Sequence, residues 1–169
     1  MSTLTKAVFL FAIIACLFSR TSFAQNSTVT TRAQNIFVEL GGPGLLLSAN
    51  YDSRFGNRRD GLGGRLGVGY ISENSNSILT IPLQVNYLLG KRSKYFELGI
   101  GATVISTKGN DNGDFLSLDD ASGAIGTLTF GYRYQPEDGG FHFRAALNPI
   151  FNSSAFFPFF GGIGIGYTF

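Results

Sequence analysis

The chain has 169 residues, of which 44% are hydrophobic, 14% aromatic and only 14% charged, so it fits one domain and is not a disordered, collagen-like or coiled-coil chain. All 23 glycines follow Phe23, there is no tryptophan, and a single cysteine excludes a disulfide framework within the chain. The formal charge of +2 comes from Lys6 and Arg20; without residues 1–24, eleven basic side chains face eleven acidic ones, so charge gives no reason to expect nucleic acid as a partner.

The first element is an address. Lys6 precedes twelve apolar residues, Ala7 to Phe18, and Ser22-Phe23-Ala24 then gives the small-x-small pattern of a secretory cleavage site. Twelve residues fall short of the ~20 that cross a bilayer as a helix, so cleavage after Ala24 is expected. Ile13-Ile14-Ala15-Cys16 also admits a lipoprotein reading, with Cys16 lipidated. The division that follows is a signal peptide over residues 1–24, a short extension over 25–33, and one domain over 34–169.

From there the side-chain period is two. Leu79, Ile81, Leu83, Val85 and Tyr87 alternate with Thr80, Pro82, Gln84 and Asn86, the mark of a strand with one apolar and one polar face. The pattern predicts strands near 34–42, 44–55, 61–73, 77–89, 94–106, 121–135, 140–150 and 158–169, close to the ~9 to 11 residues that a tilted strand needs to span hydrocarbon. The break at Gly41-Gly42-Pro43-Gly44 reads either as a turn or as a bulge. Three connections, near 56–60, 90–93 and 136–140, are short, and the one from Thr107 to Ser122 is long and acidic. With both termini at one end, the short turns fall at that end and the long loop opposite, as in an outer-membrane barrel.

The apolar set is too large for the interior of an eight-stranded barrel, so it is expected to face outward. The opposite face carries Glu39, Asp52 and Glu97 against Arg54, Arg65, Arg133 and Arg144, with Gln84, Asn86, His142 and Asn148. Glycines at 63, 67, 69, 99, 101, 162, 164 and 166 share that face and would leave room for long charged side chains in a narrow lumen. Buried charges are tolerable when paired, so each acid is expected to meet an arginine. Tyr87, Phe96, Tyr134, Phe141, Tyr167 and Phe169 lie beside the short turns or the carboxyl end, and Tyr70, Phe151, Phe156, Phe157 and Phe159 toward the other end, as aromatic girdles do.

The last segment, FFGGIGIGYTF, ends on an aromatic residue with Ile163, Ile165 and Tyr167 at alternate positions before Phe169, and looks like the assembly signal of bacterial outer-membrane barrels. With VELGG, NYLLGK, YFELGIG and FGYRYQPEDGGFHFR, residues 34–169 resemble the small outer-membrane β-barrel proteins of Bacteroidetes-type bacteria and, in architecture, the outer-membrane protein A and X barrels. The resemblance implies an all-β, eight-stranded antiparallel up-and-down transmembrane barrel in a Gram-negative outer membrane. It further implies contact with membrane lipid and lipopolysaccharide and insertion by the outer-membrane assembly machinery; a monomer is expected.

No chemistry stands out. His142 is the only histidine and the mature chain would lack cysteine, so no histidine or cysteine metal cluster can be built, and no cofactor is expected. An esterase triad would need a serine and an acid beside His142, at the end away from the termini, whereas His142 begins a strand next to a short turn. The acidic stretch at 110–114 with Asp119 and Asp120 fails the EF-hand spacing, because Lys108 occupies the first ligand position. The expected role is structural or one of surface contact, without a catalytic site. A narrow channel for small molecules and a soluble periplasmic barrel or sandwich are the alternatives.

Overall fold

The computed structural model describes residues 32–73, 76–108 and 121–169. The expected signal peptide and cleavage site, the extension up to residue 31, and most of the acidic loop (109–120) lie outside the described residues. Strand segments follow one another as β1 (Gln34–Gly41), β2 (Leu47–Arg54), β3 (Gly61–Glu73), β4 (Asn76–Lys91), β5 (Lys94–Lys108), β6 (Ala121–Tyr134), β7 (Gly140–Leu147), β8 (Ile150–Phe151), β9 (Phe156–Phe157) and β10 (Gly161–Thr168).

Each of β1 to β6 pairs antiparallel with its successor, β7 pairs with β10, and β10 returns to β1 with Asn35 opposite Thr168 and Gly41 opposite Gly162. The sheet therefore closes on itself as an eight-stranded antiparallel barrel. Gln34 and Phe169 exchange backbone hydrogen bonds of 3.2 and 2.9 Å, so the two ends of the barrel sequence meet at one rim.

Three boundaries differ from the sequence reading. The Gly41 to Gly44 break is a turn, but β2 starts at Leu47 and not at Gly44, because Gly42–Gly44 forms one turn of 3-10 helix and Leu45 takes φ 73°. Leu46 N–H bonds Gly44 C=O at 3.0 Å, closing a γ-turn around Leu45, a strained conformation for a residue with a side chain. The seventh strand breaks at Asn148-Pro149, since proline has no N–H to give the ladder, and resumes as β8 in the same register against β6. The last strand begins at Gly161, not 158; the residues just before it form the separate short β9, which pairs with β8.

Burial follows the period of two. Ile36, Val38 and Leu40 are exposed and Asn35, Phe37 and Glu39 are buried on β1; Leu83, Val85, Tyr87 and Leu89 are exposed and Gln84, Asn86 and Leu88 are buried on β4. The normal order of a soluble protein is reversed. Large apolar side chains form the outer belt, while the buried set is mostly polar or charged.

Candidate functional site

The interior is organised as one line of alternating charge. Arg65 bonds Glu39, Glu39 also receives Arg144, and Arg144 reaches Glu97 with Nε and Nη2 both at 3.3 Å. Arg133 then grips Glu97 with Nε at 3.0 Å and Nη2 at 2.8 Å, and Asp52 with Nη1 at 2.7 Å and Nη2 at 3.2 Å. Arg54 closes the line on Asp52 at 2.5 Å. Four guanidinium groups thus alternate with three carboxylates, every acid lies between two arginines, and all seven side chains are buried. The members come from β3, β1, β7, β5, β6 and β2, so the line laces six of the staves across the lumen.

Neutral amides complete the bonding that charge alone leaves open. Asn86 donates to Asp52 Oδ2 at 2.6 Å and to Glu97 Oε1 at 3.3 Å, and accepts from Arg54 at 2.6 Å. Asn50 Oδ1 accepts Arg65 Nε and Nη2 at 3.0 and 2.8 Å. Gln84 and Asn148 both donate to the Thr129 hydroxyl, at 2.5 and 2.6 Å. A buried ion pair holds only when its remaining donors and acceptors are also met, and here these amides meet most of them.

One positive charge remains in excess, and an aromatic ring stands beside it. Phe37 points inward, with Arg65 Cζ 4.9 Å and Arg144 Cζ 5.6 Å from its ring centroid. The negative face of the ring stabilises those cations where water is excluded. His142 stacks at 5.1 Å on the same ring, and its two nitrogens make no hydrogen bond among the described residues.

Glycine supplies the space. A Cβ at Gly63 would meet the Arg54 guanidinium, one at Gly67 the Asn50 amide, and one at Gly164 the Arg144 stem at 3.0 Å and the Phe37 ring at 3.1 Å.

Both ends of this core are capped. At the terminal rim, Arg59 reaches across to Pro136 C=O at 2.5 Å, Gln135 returns a bond to Arg59 C=O at 2.8 Å, and Asn35 donates to Gln135 at 2.9 Å. At the other rim the buried turn Gly42–Gly44 folds inward, and its carbonyls accept Thr103 Oγ1 at 2.6 Å on Pro43 and Thr80 Oγ1 at 2.9 Å on Gly44. On the exposed turn, the hydrogen bond to Asp60 holds the Arg58 guanidinium above its usual pKa, whereas partial burial pushes that of Arg59 down.

Sequence reasoning missed Asn35, Phe37, Asn50 and Gln135 as members of the interior. Asn35 and Phe37 share the parity of Glu39, and Asn50 shares that of Asp52, so the same alternation carried the signal. Ile163, Ile165, Tyr167 and Phe169 lie together on the outward face of the last strand.

The solved N-terminal β-barrel domain of Pseudomonas aeruginosa OprF matches this architecture with a TM-score of 0.54, over 82% of this chain and 96% of that one, at 14% identity. The fold is that of an outer-membrane β-barrel. The crystal structure of the outer membrane enzyme PagL is also similar, over 79% of this chain and 96% of that one, at 14% identity with a TM-score of 0.37, too distant for a residue comparison. No protein-family model and no curated protein matches the sequence.

Proposed function

We propose that the chain is an integral outer-membrane protein, of the kind found in Bacteroidetes-type bacteria, exported on residues 1–24 and released after Ala24. Its role is structural or one of surface contact, without catalysis, and its lumen is closed to ions. The observation that carries this reading is the reversed polarity of the barrel: an exposed apolar belt around seven buried charges suits hydrocarbon outside and would be unstable in water. The capped ends and the crossing side chains support closure, because an eight-stranded barrel is about filled by its own residues.

The purified protein should migrate differently on detergent gels before and after boiling and should give no stable conductance steps in planar bilayers. Reproducible open-channel steps would favour the narrow channel instead, and a soluble periplasmic protein after fractionation would remove the membrane reading. The terminal stripe of Ile163, Ile165, Tyr167 and Phe169 is proposed as the signal read by the insertion machinery. Phe169→Ser should then lower the amount of heat-shifted barrel in the membrane; undiminished insertion would refute that assignment.

A further inference from the structure

The hairpin between β4 and β5 concentrates positive charge in a way its neighbours do not. Lys91 and Lys94 are register partners, directly opposite each other, and Arg92 lies between them in the turn. All three are exposed, and none enters an ion pair among the described residues. Like charges directly opposite on antiparallel strands destabilise the pair. The turn itself is unusual, since Arg92 and Ser93 hold φ values of 51° and 70° at two positions where asparagine and glycine are favoured. By contrast, the turn between β2 and β3 pairs Arg58 with Asp60 at 2.9 Å and ends on Gly61 at φ 81°.

Position gives the charge a meaning. Lys91 continues the outward parity of Tyr87 and Leu89, and Lys94 that of Phe96, so both ammonium groups emerge where the apolar belt ends at the terminal rim. Lipid phosphates lie at that depth in a bilayer, next to the interfacial aromatics. We propose that Lys91, Arg92 and Lys94 form a binding site for the phosphate of an anionic phospholipid in the leaflet at the terminal rim. A phosphate between the two lysines turns a repulsive pair into charge-assisted hydrogen bonds, and Leu89 and Phe96 receive the acyl chains below it. This rests on the membrane reading above.

The test uses the full mature chain in phosphatidylcholine vesicles carrying spin-labelled phosphatidylglycerol or spin-labelled phosphatidylcholine, with the fraction of label held at the protein read by electron paramagnetic resonance. The wild type should prefer phosphatidylglycerol, and the preference should fall by about five-fold per cation removed in Lys91→Gln, Arg92→Gln and Lys94→Gln. Added salt should weaken it, and Arg58→Gln, on the internally paired turn, should leave it intact. No preference in the wild type, or full preference in a triple variant that still shows the heat shift, would overturn the site. Displacement by millimolar inorganic phosphate would assign it to free phosphate and overturn the lipid. A chain that shows no heat shift in vesicles fails the membrane reading first and takes this inference with it, whereas a heat-shifted barrel without lipid preference sinks the site alone.

Discussion

The two faces of β4 are built to different rules. Leu83, Val85, Tyr87 and Leu89 look outward and are each about half exposed, so close packing constrains their shape less. Gln84 and Asn86, one residue away, look inward, and each meets named partners: Thr129 for the first; Asp52, Glu97 and Arg54 for the second. The outer face demands a class of residue and the inner face demands particular residues. The identity of this barrel is therefore written inside, and its tolerance to change lies outside.

The sharpest way to break that contrast is to remove one inner partner. Glu97→Ala leaves Arg133 and Arg144 without one carboxylate each and should destabilise the barrel by about 3 to 5 kcal/mol in urea unfolding; a loss under about 1 kcal/mol would mean the line is not a stabilising unit. Outside, Leu83→Arg should cost roughly 2 to 4 kcal/mol by placing charge toward lipid, while Leu83→Val should cost about 1 kcal/mol, one methylene's worth. Equal penalties for the two would refute the tolerance assigned to the belt. Phe37→Leu keeps an apolar filler but removes the ring face beside Arg65 and Arg144, and should cost roughly 1 to 2 kcal/mol; an unchanged midpoint would separate the ring from the surplus charge. The smallest effect is expected from Gln84→Glu, opposite Arg65 in register, which adds a fourth carboxylate to four arginines. It should stabilise by about 1 kcal/mol; a loss as large as that of Leu83→Arg would show that the surplus charge does not reach residue 84.

Much of this was legible in a single sequence, for a physical reason. A strand's side chains alternate without exception unless a bulge intervenes, so parity alone groups Glu39 with Phe37 and Asn35, and Asp52 with Asn50 and Arg54. What parity lacks is the stagger between strands. That Arg144 lies between Glu39 and Glu97, while Arg133 lies between Glu97 and Asp52, depends on the register accumulated around the barrel, which no local pattern contains. The breaks misread near Gly44, Pro149 and residues 158–160 share another cause. At each, proline or glycine interrupts the ladder, and only the packing of neighbouring strands decides whether the chain turns inward, skips a ladder bond or resumes in another register. Phe37, Leu88 and Tyr95 are buried in the lumen against the outward preference of apolar residues, and the strand itself does not announce such exceptions.

Glu39 and Arg144 stand 105 residues apart in the chain and belong to β1 and β7, the strands flanking β10 on either side of the seam. Their contact has no counterpart in any open sheet of the same strands, because β1 reaches this distance only once it has zipped to β10. The line of charges is therefore complete only in the closed barrel. Until then its carboxylates and guanidinium groups are free to keep their water, and closure must strip that water from several of them together while it joins the two ends of the barrel sequence. Sealing therefore joins the dehydration of several charges to a long loop closure, and it rewards only the register that lets all seven groups find their partners.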